Sequence, residues 1–527
     1  MKRFIKTIIF LLIVWIIFCG CNKSETTIEM SIKDEYPASG KDNFVILNYS
    51  ADPIALCGVY ANDPDTGTLY SLLYDSLVYL DYDGNLKPGL AVSWKQIDGK
   101  TYQFRLRKGV KFHNGQEFDA YDVKYTFDLH LNPEVNSVTA IVWTMPHSAH
   151  LKEIVVVDKY TVKMVLHRES GLVYNLQHTF GSIFPKDYPI EKMKENPIGT
   201  GPYKLVKWDK GKRIVLTRNK VYWNPDIPKI KNLVFKIMPI EKWHETIIAG
   251  EADFIMHLPG KYRKKIDADA HTNIMERAVL SSIWITLKNK GPLKDIRVRK
   301  AMNHAVDMES IIYYAEYGKG IVCASMGRKG EFGFNENLKP YGYDLDKAKV
   351  LMKEAGHEKG FKLKAFITDI TETVMQMVKE DLKEINIELE LEVVPTLQYI
   401  LRAPFMSKLL GTESVAEYDI AAWIVDNPVI DLSFNCGILM LGNISHTAHS
   451  PYNFPEYEAK HDWASISDPV EHEKRLKELD RFIHDNAYFL FTYQRVLTSA
   501  VRKNVHVKKL NLNGHLGHGM LTETTKD

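Results

Sequence analysis

Two aspartates follow a tryptophan in "YDIAAWIVDNPVIDLSF" (418–434), a pattern that could place a carboxylate at a ligand site. The apolar run "DIAAW" reads as a short strand ending at Trp423, with Asp426 and Asp431 in the loop beyond it. A carboxylate just past the C-terminal end of a strand stands where α/β sheets bind their ligands. The same carboxylates serve equally well as caps of the next turn, a usual role for Asp beside a Pro-containing loop. Motifs for catalysis fail one at a time. "WHETII" (243–248) carries Ile248 where a zinc-protease helix needs its second histidine. "CASMG" (323–327) has Cys323 in place of the first glycine of a nucleophile elbow, with no obvious strand leading in. "GTGPY" (199–203) has two glycines and nothing further of a phosphate loop. His446 with His449, and His515 with His518, are spaced i, i+3, which is half a metal site without an acid or cysteine nearby. Only a cysteine paired with a chain-distant histidine is left open for catalysis, and no motif calls for a resident metal or cofactor.

The elements that would position such a site alternate between strand and helix. Strand patterns rich in β-branched and aromatic residues occur at "TYQFRLR" (101–107), "TVKMVL" (161–166), "RIVLTR" (213–218), "NLVFKIM" (232–238) and "ELELEVV" (388–394). Helices are marked by their caps. Asp468 precedes Pro469 at a first helical position and Glu471 three residues on, with Leu476, Leu479 and Ile483 on one face. Asp344 starts and Gly356 stops a second helix, and "TVMQMVKEDLKEIN" forms a third that runs straight into the 388–394 strand. At 527 residues the chain is long enough for two or three lobes.

The N-terminus explains the pair of cysteines in "FCGCNKS". Lys2, Arg3 and Lys6 precede a dozen apolar residues, too few for a membrane span, and Gly20 stands before Cys21. This resembles a bacterial lipoprotein signal in which residues 1–20 are removed and Cys21 carries the lipid. Residues 22–42 lack apolar periodicity and read as a flexible tether. Of 68 lysines and arginines, three lie in the first 20 residues, leaving 65 against 66 acids. That balance gives no basic footprint for nucleic acid. Cys57, Cys323 and Cys436 allow at most one bridge, for which Cys323 and Cys436 are candidates, and three buried thiols fit as well.

Longer stretches carry a family resemblance. "GLAVSWKQIDGKTYQFRLRKGVKFHNGQEFDAYDVKYTFD" (89–128), "PIGTGPYKLVKWDKGKRIVLTRNKVYWN" (197–224), "IKNLVFKIMPIEKWHETIIAGEADF" (230–254), "GPLKDIRVRKAMNHAVDMESII" (291–312) and "YGYDLDKAKVLMKEAG" (341–356) resemble, in order, the signatures of family 5 extracellular solute-binding proteins, the oligopeptide, dipeptide and nickel-type receptors of ABC importers. The resemblance implies an α/β, type II periplasmic-binding-protein fold of three lobes. Lobe I would take residues 43–70, 196–280 and 491–520; lobe II, a strand-rich insertion, 71–195; lobe III, 281–490; a tail, 521–527. It implies a peptide captured between lobes I and III by hinge closure and passed to a permease with its ATPase subunits, by a monomer held by lipid on the outer face of the cytoplasmic membrane. An oligosaccharide or a nickel chelate is the alternative ligand, and a secreted lipid-anchored hydrolase a remote one. In peptide-binding members the loop reads W-x-x-D-x-x-D-P-D and its first Asp holds the peptide α-ammonium, which carries that role to Asp426, beside Trp423. Asp431 matches the last Asp, while Val429 and Ile430 replace the usual Asp-Pro. By position, Arg402 is the candidate for a ligand carboxylate, and Gly67 and Thr68 for ligand backbone.

Overall fold

In the computed structural model, which describes residues 39–61, 64–135, 137–144, 150–169, 172–402, 418–427, 430–440, 459–460, 466, 468–514 and 518–527, the strand Asn43–Tyr49 is buried at every position. Burial on both faces explains why "NFVILNY" is almost continuously apolar instead of alternating. It pairs in parallel with Asn232–Ile237 and with Phe254–Ile255, as in an α/β sheet.

These strands belong to one twelve-stranded sheet. Its path runs from Ile387–Val394 through Phe361–Thr368, Ile420–Asp426 and Thr272–Leu287 to Tyr493–Arg502. From there it continues through Phe254–Ile255 and Asn43–Tyr49 to Asn232–Ile237, Arg213–Arg218 and Tyr203–Asp209. The 16-residue strand Thr272–Leu287 ties the two halves together. Its first part, Thr272–Ala278, pairs with Tyr493–Arg502, and its second, Ser281–Leu287, pairs with Ile420–Asp426. The register with Tyr493–Arg502 shifts between Ala278 and Ser282, where pairing with Ile420–Asp426 begins on the strand's other edge.

Three regions of core follow the chain. The first gathers Phe44, Tyr70, Tyr203, Phe235 and Phe254 with Val501 and Met520 from near the C-terminus. The second packs Phe104, Phe118, Phe127 and Trp143 beneath a four-stranded antiparallel sheet ordered Ala91–Asp98, Thr101–Leu106, Thr161–Leu166, Leu151–Asp158. The third covers both faces of one set of strands. Ile283, Ile285, Ile420 and Ala422 face the helices Ile296–Ala305 and Glu372–Lys383, while Trp284, Ala421 and Trp423 face the helix Pro469–Asp485. Period-two alternation along each strand produces these opposite faces.

The capped helices form as their sequences predict. Asp468 accepts from the Glu471 N–H at 2.8 Å and Asp344 from the Lys347 N–H at 2.9 Å, while Gly356 adopts φ +76°. One reading differs: a short strand, Gly320–Val322, does lead into Cys323, held by pairing with Tyr493–Arg495. Cys57, Cys323 and Cys436 form no disulfide with one another, so the Cys323–Cys436 bridge is absent. Burial pushes the Cys57 thiol up to about 12.

Candidate functional site

The strand read as ending at Trp423 continues to Asp426, because Ile424 and Val425 pair with Ile283 and Ser282. Their β-branched side chains suit a strand buried on both faces. Asp426 is thus the strand's last residue, half-buried and directly opposite Ser281. Asn427 N–H donates to the Leu280 carbonyl at 2.8 Å, which makes Ser281 and Asp426 a narrow, non-hydrogen-bonded pair. Such pairs have Cα atoms only about 4.5 Å apart, with both side chains on one face.

A buried ion pair holds the ends of both strands. Arg328 and Glu331 have side chains with no exposure, and Arg328 Nη2 donates to Glu331 Oε1 at 3.2 Å. Arg328 Nη1 donates to the Leu280 and Val425 carbonyls, each at 2.9 Å, bridging the residues next to Ser281 and Asp426. Asn427 Nδ2 donates to Glu331 Oε1 and, at 2.9 Å, to the Asp431 carbonyl. Removing charges from water is costly, and these added hydrogen bonds offset that cost. Sequence reading missed both residues, since a charge pair in "GRKGEFGF" has the look of a solvated loop.

Asp431 takes the capping role. Its Oδ1 accepts from Ser433 N–H at 2.8 Å and Ser433 Oγ at 2.6 Å, at the start of the helix Leu432–Met440. His472 Nε2 lies 3.7 Å from the other oxygen. Trp423, 9% exposed, packs between Trp284 and Tyr399, with ring centroids 6.3 and 6.2 Å away. Arg402 lies over the Phe366 ring at 5.0 Å and pairs with Glu392 at 2.6 Å. Phe366 is the strand neighbour of Ala421, so Arg402 and Trp423 share one side of the sheet. Gly67 and Thr68 are buried in the helix Pro64–Leu73 of the first core, on a separate element. Cys21, His446, His449 and His515 lie outside the described residues.

Other motifs of the sequence join the second core to the first. His113 Nδ1 accepts from the Gly199 N–H at 3.3 Å, so its Nε2 carries the proton and donates to the Gly201 carbonyl at 3.0 Å. Asp75 is buried and accepts from Tyr222 Oη at 2.8 Å, Thr200 Oγ1 at 2.9 Å and Trp223 Nε1 at 3.1 Å. "KFHNG", "GTGPY" and "VYWN" are therefore a structural joint. A cavity of about 50 Å³ beside it is lined by Asp75, Tyr79, Gln177, Ile430 and Asn511, residues far apart in the chain. Ile430 adopts φ +62° there, in the region where a β-branched residue is strained. Phe434 likewise reaches the second core, its ring 5.7 Å from that of Phe180.

Among the described residues, no group of three or more His, Cys, Asp or Glu side chains could hold a metal ion. Nor is any described helix long and apolar enough to cross a membrane.

Comparison with known proteins follows this geometry. Residues 85–425 match the model of bacterial extracellular solute-binding proteins, family 5 Middle. The chain is 28% identical over 452 residues to the dipeptide-binding protein of Escherichia coli (strain K12), covering 79% of this chain and 82% of that protein. It is 25% identical over 509 residues to heme-binding protein A of Haemophilus influenzae, covering 90% of each. The fold superimposes on the periplasmic binding protein DppA of Helicobacter pylori, solved with the peptide STSA, with a TM-score of 0.78 at 24% identity over 92% of this chain and 98% of that one. The fold is therefore that of the periplasmic binding proteins, and the chain belongs to the bacterial extracellular solute-binding proteins of family 5, receptors that bind their solutes outside the cytoplasm without transforming them.

Proposed function

We propose that this protein captures peptides and delivers them to the permease of an ABC importer, with Asp426 holding the peptide's α-ammonium. The observation that carries this is Asp426 itself: a half-buried carboxylate ending a strand, three residues after Trp423, on a backbone fixed by Arg328. A fixed counter-ion sets the register of any peptide without reading its side chains. Trp423, Gly67 and Thr68 join this site on the resemblance alone, since Trp423 lies on the face of the strand opposite Asp426 and Gly67 and Thr68 are buried in a core helix. Arg402 takes a ligand carboxylate by exchanging it for Glu392.

The chain divides into lobe I (43–70, 196–280 and 491–520), lobe II (71–195) and lobe III (281–490), a reading that the three cores favour in outline while Leu72, Leu73, Phe184 and Met193 pack with the first. The strands Thr272–Leu287 and Tyr493–Arg502, shared by lobes I and III, act as the hinge. Lipid on Cys21 tethers the monomer to the outer face of the cytoplasmic membrane, where it stays concentrated near its transporter.

The test is a melting curve of the full chain in mild detergent, stripped of carried ligand, against mixed peptides and their N-acetylated forms. A ligand at 100 times its Kd adds about 2.7 kcal/mol, an easily read shift. Stabilisation by free but not acetylated peptides, lost in Asp426→Asn, supports the reading. Stabilisation only by heme, a nickel–histidine chelate or an oligosaccharide overturns the ligand and leaves the receptor.

A further inference from the structure

Among the described residues, Ser281 has a buried hydroxyl with nothing to bind. The residue is 4% exposed, and its Oγ has no hydrogen-bond partner among them. Neighbouring hydroxyls on the same strands are satisfied. Ser282 Oγ receives Trp284 Nε1 at 3.1 Å and Arg328 Nη1 at 3.4 Å, Thr286 Oγ1 donates to the Ala421 carbonyl at 3.3 Å, and Ser499 Oγ donates to the Met256 carbonyl at 2.6 Å. An unsatisfied buried hydroxyl is a net cost to the fold, and alanine would avoid it at no loss of packing partner. The exception is also the residue directly across from Asp426.

We infer that Ser281 is a second acceptor for the ligand's ammonium group and sets the receptor's preference for an unsubstituted N-terminus, an inference that rests on the peptide reading of Asp426. A primary ammonium has three N–H donors, and one carboxylate cannot take all three in good geometry. Once enclosed, each remaining N–H needs an acceptor of its own. The narrow strand pair places Ser281 and Asp426 side by side on one face, with Cβ atoms about 4.5–5.5 Å apart. A nitrogen atom can reach both from one position. Asp426 supplies the charge, and Ser281 Oγ takes one further N–H. Arg328 holds the carbonyls of Leu280 and Val425, so the spacing of the two acceptors is fixed before ligand arrives.

The experiment measures Kd by calorimetry for Ser-Thr-Ser-Ala and for trialanine, each with a free, an N,N-dimethylated and an N-acetylated terminus. The dimethylated form keeps its charge but has a single N–H. Wild-type full chain should prefer free over dimethylated peptide by about 10-fold or more, the worth of a hydrogen bond to a charged group. Ser281→Ala should lose about 10-fold on the free peptide, erase most of the free-over-dimethyl preference, and leave the melting temperature unchanged or higher. Ser281→Thr should restore the preference. A Ser281→Ala variant whose free-to-dimethyl ratio equals the wild type overturns the inference and leaves the role of Asp426 intact. If wild type binds none of these peptides, or Asp426→Asn binds them unchanged, the peptide reading fails and the inference falls with it.

Discussion

Arg328 and Glu331 form an ion pair in which neither side chain is exposed, and the arginine's second nitrogen joins the carbonyls of Leu280 and Val425 on two different strands. The pair sits beside the place where the strand Thr272–Leu287 gains Ile420–Asp426 as a second neighbour, so one buried guanidinium fixes the backbone on either side of the candidate site. Removing one partner strands the other's charge in the interior. Arg328→Met should therefore cost about 3–5 kcal/mol of stability, whereas Arg328→Met with Glu331→Leu should recover most of it. Denaturant midpoints of the two variants check this. Equal losses in both would mean that the carbonyl contacts, not the charges, dominate.

Gly199 and Gly201 lie so close to the preceding helix that side chains have no room. A Cβ on Gly199 would stand 2.0 Å from the Leu73 carbonyl oxygen, and one on Gly201 2.5 Å from that of Leu72. Backbone on both sides cannot yield cheaply. Gly199→Ala should destabilise by about 2–3 kcal/mol through this overpacking, read as a lower urea midpoint at constant slope. An unchanged midpoint would refute the close approach.

His113 makes the fold sensitive to acid. Enclosure of the ring at the joint, the larger effect, holds its pKa down to about 4 from an ordinary 6.5, although the Gly201 carbonyl favours the protonated form. The unfolded chain binds this proton as pH falls through 6.5, and the folded protein does not until about 4. Stability is therefore lost as pH falls across that window. His113→Gln should show a flatter melting-temperature profile between pH 6.5 and 4 than wild type. Parallel profiles would count against the assignment.

Asp480 acts with the opposite sign. It is 1% exposed, and burial raises its carboxyl from 3.8 to about 6, against the pull of Ser325 and the N–H groups of Gly327 at 3.0 Å and Asn335 at 3.3 Å. The folded state keeps its proton where the unfolded chain has released it. Stability is therefore present below pH 4 and is lost as pH rises toward 6, by about 3 kcal/mol at most. Asp480→Asn should remove that slope, so the difference between variant and wild type grows from pH 4 to 6 and then levels. A constant difference would show that Asp480 ionises at its ordinary pH.

Local patterns in the sequence determined a good part of this protein. The caps Asp344 and Asp468 and the strand at 161–166 stand where their residues put them, because a cap or an alternating strand is specified by neighbours a few positions away. The ordered run of signature segments pointed to the family, and the Trp423–Asp426 spacing pointed to a carboxylate at a strand end. Tertiary structure decided what those residues touch. Whether the strand stopped at Trp423 or at Asp426 depended on Ser282 and Ile283, which lie far back in the chain. Asp431, equal to Asp426 on pattern, became a helix cap because Ser433 turned its N–H and hydroxyl toward it. Arg328 and Glu331 stand in a short charged, glycine-rich loop and have fully buried side chains, since burial is fixed by the strands that close around a loop and not by the loop's composition. Ser281 was one of two serines in an apolar run, and only the cross-strand register distinguished it from Ser282. Pairings of that kind are set by the packing of whole lobes, where a shift of one residue turns every side chain to the opposite face.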